Sequence, residues 1–272
     1  MSYKAAIFDM DGTILTSDKK ITPATAEKLA ELSRRGVYVA VSTGRALAEL
    51  DAYKDAFKAV RYGVILSGGI VYDFAEKKVL SSHPVLEDMI YKLIDAGLAE
   101  DAMVHMLTLN KSIASERDIA RMAEVGMGIY QSMFDRICVR CDDFKKFVRE
   151  NPGEVIKVDL YHTSVESLNR TVERVKNYGL NLVFAESSNL EASPAGISKA
   201  SGLIELCQIL NIDVKDCVAI GDAGNDFEIL ETAGVGVAMG NAIDEVKEIA
   251  DYVTDDNDHD GVLKAIEKFF SE

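Results

Sequence analysis

Basic residues are scarce in this sequence: 30 Lys and Arg stand against 45 Asp and Glu, a formal net charge of −15. A chain this acidic lacks the electrostatic footprint of a nucleic-acid binder or of a protein that adheres to anionic membranes. A small anionic substrate stays open, because a bound cation or one local lysine inverts the field at a single site. Cysteine is scarce too. Four in 272 residues make no disulfide scaffold, and a reducing cytoplasm is the expected location. No apolar run approaches the length of a membrane span. The first residues, MSYKAAIFDMDG, meet two acids before a signal-like stretch can form. Internal repeats and low-complexity segments are also missing. The expected partner is a small molecule, with no nucleic acid and no membrane, and the chain is expected as a monomer or small homo-oligomer.

What is present is a globular composition, 48% hydrophobic and 28% charged, in a chain long enough for one large domain or two modest ones. Lys4 to Phe8 reads as a short buried strand. ITPATAEKLAELSRRG reads as a helix with Thr22 as cap, Pro23 in its first turn and Gly36 at its end. VYVAVS (37–42) and YGVIL (62–66) read as further strands, followed by a small hairpin of IVYD and KVLSS. After residue 186 the alternation resumes: ISKASGLIELCQILNI, CVAIGD, DFEILETAG, VGVAM, AIDEVKEIA, DYVT and GVLKAIEKFF alternate helix and strand. Alternation with nearly continuous apolar strands predicts an α/β fold, a Rossmann-like parallel sheet covered on both faces. The middle differs. AMVHMLTL, VIKVDLYH and LNLVFAE alternate apolar with polar side chains, as a sheet with one solvated face does. We expect a core of 1–82 and 187–272 with an α+β domain, 83–186, inserted into it.

In an open parallel sheet, ligands bind beyond the carboxyl ends of the strands at the topological switch point. Those ends carry Asp9 and Asp11; Ser42, Thr43, Gly44 and Arg45; and Gly221, Asp222, Asn225 and Asp226. Lys199 opens the helix before the last of these strands. Converging carboxylates repel one another unless a cation holds them or some are protonated. Oxygen ligands of this kind suit Mg²⁺. Asp9 and Asp11, at i and i+2 of an extended chain, share a face, so one can attack phosphorus while the other carries protons. Mg²⁺ and Lys199 would neutralise the transferring phosphoryl group. The Thr43 hydroxyl and the Gly44 N–H would hold its remaining oxygens.

The motifs DMDGT, STGR, the lone Lys199 in GISKASG, and GDAGND resemble, in that order, those of the haloacid dehalogenase superfamily of phosphatases. The tail AGVGVAMGNAIDEVKEIADYVTDDNDHDGV looks like its Cof-type subfamily, in which an α/β cap is inserted between the second and third motifs. The resemblance covers the core; the inserted cap matches by position and size. It implies Asp9 as nucleophile and metal ligand, Asp11 as acid/base and backbone-carbonyl metal ligand, and Asp222 as the third ligand to Mg²⁺. It implies Thr43, Gly44, Lys199 and Asn225 as phosphate contacts. Asp226 would orient Lys199 or a metal-bound water. Arg45, read apart from the resemblance, is expected to meet substrate, to form a structural ion pair or to be a solvated surface charge. The presence of Asp11 points to phosphate chemistry and away from dehalogenation. The implied activity is a Mg²⁺-dependent phosphatase of small phosphorylated metabolites, sugar phosphates foremost, with a phosphotransferase or phosphomutase and a non-catalytic phosphometabolite binder as rivals. One departure is Ser67, in LSGG, where the subfamily usually has Asn; a hydroxyl replaces one amide hydrogen bond and not two.

Three further patterns have plainer readings. DNDHDGVLKAIE, Asp256 to Glu267, fits the calcium-loop spacing of an EF-hand, but a strand precedes it, and Val262, Leu263, Ile266, Phe269 and Phe270 already read as a helix face. It is expected to be a polar loop, with Asp260 or Asp258 capping the last helix. Cys138 and Cys141 are expected as structural thiols, with nothing to suggest that Cys207 and Cys217 form a second pair. The four histidines are scattered; His105 or His162 could face substrate from the inserted domain, but surface or partly buried positions are expected.

Overall fold

The computed structural model describes residues 3–186 and 188–271. The chain forms two compact units. One comprises Met1–Gly44, Ala52–Ser81 and Ser198–Glu272; the other comprises Arg45–Asp51 and Ser82–Ile197. In chain order the strands are β1 (Ala5–Phe8), β2 (Tyr38–Ser42), β3 (Tyr62–Ile65), β4 (Ile70–Asp73) and β5 (Lys78–Ser82). The second unit follows with β6 (Met103–Leu107), β7 (Ser112–Ala114), β8 (Val139–Arg140), β9 (Lys157–Tyr161), β10 (Leu180–Glu186) and β11 (Asn189–Pro194). The chain then returns with β12 (Cys217–Gly221), β13 (Val235–Ala238) and β14 (Tyr252–Val253). Among the described residues no helix is long and apolar enough to cross a membrane.

The first unit is built on a sheet in the order β14-β13-β12-β1-β2-β3-β4-β5. Pairing from β14 through β3 is parallel. The sheet is not parallel throughout, however: β4 turns back and pairs antiparallel with β3, because only four residues separate their ends and a parallel return needs a crossover. β1 lies inside the sheet with its four residues buried, which is why AAIF carries no polar alternation. The helix Pro23–Arg34 starts where the Thr22 hydroxyl accepts a hydrogen bond from the Thr25 N–H at 3.1 Å. It buries Thr25, Leu29 and Leu32 at helical spacing, and each leucine so buried contributes about 2 kcal/mol.

The second unit holds a sheet in the order β10-β11-β9-β6-β7-β8. The insertion does not end at 186. β11 pairs antiparallel with both β10 and β9, so the unit runs on to Ile197. Arg45–Asp51 also groups with it, and the Leu47 N–H donates to the Leu109 carbonyl at 3.1 Å. One sheet face is apolar: Val104, Met106, Val158, Leu160, Leu190 and Ala192 pack with Leu93 and Ile94 of the helix Glu87–Ala99 and with Leu168 of the helix Val165–Val175.

The opposite face departs from the expected solvated surface. His105, Lys157, Asp159 and Glu191 stand on it at registered positions of β6, β9 and β11, yet all four are buried. Met122 and Phe134 close over Met103, Ala114 and Tyr161 of the same face, and the Phe134 ring lies 4.9 Å from that of His105. Lys157 Nζ sits 3.2 Å from both Asp159 and Glu191, so the buried charges compensate one another. His105 Nε2 is 2.6 Å from the Ser112 hydroxyl. His162 is equally buried, between the Thr171 hydroxyl at 2.8 Å and the Ser188 carbonyl at 3.2 Å. These two histidines are interior groups, more deeply buried than the surface or partly buried placement expected from sequence.

Burial, and secondarily the Lys157 charge, push the His105 pKa down to about 3. The unfolded chain takes up a proton at this residue near the ordinary value of 6.5 while the folded chain does not. Stability is therefore lost as pH falls from about 6.5 toward 3. Unfolding in urea at pH 7 and pH 5 checks this: the drop between the two is smaller in His105→Gln than in the wild type, by about 2 kcal/mol.

Candidate active site

The site begins with register. In the parallel pairing of β1 with β12, Phe8 lies opposite Ile220, and the Asp9 N–H donates to the Ile220 carbonyl at 2.9 Å. Continued past the strand ends, the register sets Asp9 beside Gly221, and Asp222 leaves the neighbouring strand one residue further on. β2 flanks β1 on its other edge, so the central strand lies where the chain winds in opposite directions. That is the switch point at which such sheets bind ligands.

Lys199 is the first residue of the helix Lys199–Leu210, whose Ser198 cap accepts from the Ser201 N–H. Its ammonium lies 2.6 Å from Asp9 Oδ1, 2.7 Å from Asp226 Oδ1 and 3.2 Å from Asn225 Oδ1. All three of Asp9, Lys199 and Asp226 are buried. Asp226 Oδ2 accepts the N–H groups of Asp222 and Ala223 at 3.0 and 3.1 Å. Asp226 thus holds Lys199 with one oxygen and shapes the Asp222 loop with the other. Gly221 is required beside it, since a Cβ there would lie 2.4 Å from the Asp226 carboxyl carbon.

Burial raises the Asp9 pKa well above the carboxylate range; the Lys199 charge opposes this, and Asp226 and Asp222 reinforce it. Burial works against the Lys199 ammonium, but the Asp226 and Asp9 charges outweigh it and raise its pKa. Asp222 is pushed up to about 6 by burial and then by the Asp226 charge, partly offset by the Thr13 hydroxyl that donates to it at 2.9 Å. One oxygen each from Asp9, Asp222 and Asp226 lie within 4.8 Å of one another. Such a hard oxygen set suits a divalent cation. With Asp226 occupied by Lys199 and two N–H donors, Asp9 and Asp222 are the carboxylates of the three best placed to hold one.

Asp11 is partly exposed and receives the Lys19 ammonium at 2.8 Å. Thr43 is buried; its N–H donates to Val64 and its carbonyl accepts from the Ser67 N–H at 3.0 Å. Gly44 closes this segment of the first unit. Ser67 and Leu66 both have φ +54, a left-handed conformation that Asn tolerates better than Ser or Leu. Gly68 follows because a Cβ there would lie 1.9 Å from the Ser198 carbonyl oxygen. Arg45 groups with the second unit: its guanidinium lies 5.7 Å from the Tyr130 ring centre and 3.6 Å from Met133 Sδ.

Sequence reasoning overlooked several residues here. Asn241 donates to the Gly12 carbonyl at 2.8 Å and to Asp222 Oδ2 at 3.4 Å, and accepts from the Asn257 N–H. Asn257 donates to the Leu15 carbonyl, and Asp258 accepts from the Ser17 N–H and hydroxyl. The signal was available in the two asparagines of the tail, but nothing local told which loop they meet. The segment with calcium-loop spacing therefore ties the C-terminal loop to the Asp9–Asp11 loop. Its Asp256 meets His259, and Asp260 occupies the cap position of the helix Gly261–Phe270 with no side-chain cap bond. Asp258 does not cap that helix either, since it faces Ser17. Cys138 is buried and Cys141 partly so; Cys207 and Cys217, unexpectedly, lie Sγ to Sγ at 3.4 Å.

A carboxylate and lysine centre at the switch point of a largely parallel sheet defines an enzyme of the α/β class. A family model described as haloacid dehalogenase-like hydrolase matches residues 6–266. The chain is 30% identical over 98% of its length to a Bacillus subtilis 5-amino-6-(5-phospho-D-ribitylamino)uracil phosphatase, YcsE, of which it covers 95%. It is 26% identical to the Escherichia coli pyridoxal phosphate phosphatase YbhA, with 98% of each chain covered. Its fold is similar to that of a haloacid dehalogenase-like hydrolase from B. subtilis, with a TM-score of 0.87, 24% identity, and 97% and 99% of the two chains covered. The chain belongs to the haloacid dehalogenase-like hydrolases, as one of their phosphatases.

Without metal, the desolvated Asp222 carboxylate repels Asp9 and Asp226. Asp222→Asn is expected to unfold thermally at or above the wild-type temperature in EDTA at pH 7. Mg²⁺ is expected to raise the midpoint of the wild type and not that of this variant, since only binding to the folded state produces such a rise. Scanning calorimetry with and without Mg²⁺ measures both.

Proposed function

We propose that the protein is a Mg²⁺-dependent phosphatase of small phosphorylated metabolites that works through an aspartyl-phosphate on Asp9. The observation that carries this reading is the buried Lys199 ammonium bridging Asp9 and Asp226. A nucleophile held beside a fixed positive charge is placed to meet a phosphoryl group whose oxygens need neutralising. The Asp9 carboxylate attacks phosphorus in line and forms an acyl phosphate as the bond to the leaving oxygen breaks. Asp11 gives its proton to that oxygen. It then takes a proton from the water that attacks phosphorus, which releases inorganic phosphate and restores Asp9. Lys199 and Asn225 contact the phosphoryl oxygens, with the Thr43 hydroxyl and the Gly44 N–H on the remaining ones. Asp226 keeps Lys199 in place. Bound Mg²⁺, held by Asp9, Asp222 and the Asp11 carbonyl, supplies further positive charge against the phosphoryl oxygens.

The inserted domain selects the substrate. Sugar phosphates are the leading class; the compounds in the names of the two relatives support small phosphorylated metabolites in general. Arg45, in that domain, is a candidate substrate contact.

Phosphate release from p-nitrophenyl phosphate tests the reading. Turnover requires Mg²⁺, stops in EDTA, and falls roughly 10³-fold or more in Asp9→Asn. Undiminished activity in Asp9→Asn overturns the mechanism. With sugar phosphates, an isomeric ester in place of free phosphate identifies a mutase, and tight binding without turnover identifies a binder.

A further inference from the structure

Asp11 is followed by a tight turn. The Lys19 N–H donates to the Thr16 carbonyl at 2.8 Å, and the Thr16 N–H donates to the Lys20 carbonyl at 2.9 Å. This pattern closes a four-residue turn and needs a left-handed residue after it. Lys19 fills that place, with φ +58. Glycine or asparagine adopts this conformation at little cost, and a lysine does not. The side chain returns to the catalytic loop, where its ammonium donates to Asp11 Oδ1 at 2.8 Å. Both side chains are about one-third exposed, so the ion pair adds little to stability. The turn is also held without it. Asp258 binds the Ser17 N–H and hydroxyl at 2.9 and 2.6 Å, Asn257 binds the Leu15 carbonyl at 2.8 Å, and Asn241 binds the Gly12 carbonyl at 2.8 Å. A lysine held in a left-handed conformation on a braced loop, with its ammonium on the acid/base, has a reason in that acid/base.

Resting on the aspartyl-phosphate mechanism above, we propose that Lys19 is a positioning residue for Asp11. Its ammonium holds one carboxyl oxygen, so the group cannot rotate away from the leaving oxygen it protonates. Lys19 keeps its own proton throughout. The proton that reaches the leaving oxygen as the ester bond breaks comes from Asp11.

Esters that differ in their need for that proton test the proposal. p-Nitrophenol departs as a stable anion; phenol, a weaker acid, gains more from protonation. In the full-length protein with Mg²⁺, Lys19→Met lowers kcat/KM roughly 10-fold or more for phenyl phosphate and less than about 2-fold for p-nitrophenyl phosphate. Lys19→Arg, which keeps the charge and a donor, restores most of the loss. Lys19→Gly keeps the turn, unfolds at or above the wild-type temperature, and shows the same selective loss as Lys19→Met. Equal losses on both esters, or full activity of Lys19→Gly on phenyl phosphate, overturn the role of Lys19. The underlying mechanism fails by a different sign, undiminished turnover in Asp9→Asn.

Discussion

The core unit is organised around one buried ammonium. Lys199 stands between Asp9 and Asp226, and these groups come from three segments: the end of β1, the start of the helix Lys199–Leu210, and the loop after β12. Desolvating an isolated ion costs several kcal/mol, and only tight pairing offsets it. Placed together, the three groups leave one negative charge in excess, at the position where Asp222 adds another. The centre is thus stable as a folded object and still short of positive charge. A shortage of that kind is what a bound divalent cation would relieve.

The rest of the unit serves this placement. Parallel pairing sets Asp9 beside Gly221, with Asp222 the next residue along, and the winding of the chain away from β1 in both directions leaves room above them. Three glycines stand close to the centre. A side chain on Gly12 would collide with Asp222, one on Gly221 with Asp226, and one on Gly68 with the cap of the Lys199 helix. The loop that starts at Asp9 is then braced from the far end of the sequence by Asn241, Asn257 and Asp258. Local backbone geometry and long-range hydrogen bonds therefore both converge on a few carboxyl oxygens.

Most of the core was legible in the sequence because its signals are local. Four buried residues in a row announce β1, Thr22 with Pro23 announces the first helix, and the acids stand at strand ends. What escaped depends on partners distant in the chain. The insertion runs to Ile197 because β11 completes a sheet with β9, a pairing that NLEASP does not advertise. The alternation in β6 and β9 was read as one wet face, whereas Met122 and Phe134 cover that face and bury His105 near a compensated lysine. Arg45 sits next to a core motif in sequence and groups with the other unit in space. Nothing in the sequence marks Lys19, because its left-handed backbone and its contact with Asp11 emerge only from the turn.

The interleaving of the two units has a consequence for synthesis. β1 is made first, and its edge toward β12 has no strand to pair with until residues 217–221 are made. The second unit, by contrast, has all its residues by Ile197. During translation from the N-terminus the inserted unit can finish folding while the older strands still wait, an apolar half-sheet with an open edge. The segment from Ser198 onward therefore closes the fold, and it delivers Lys199 and Asp222 in the same act. A nascent chain cannot bring the charges of the candidate site together before its central strand is covered.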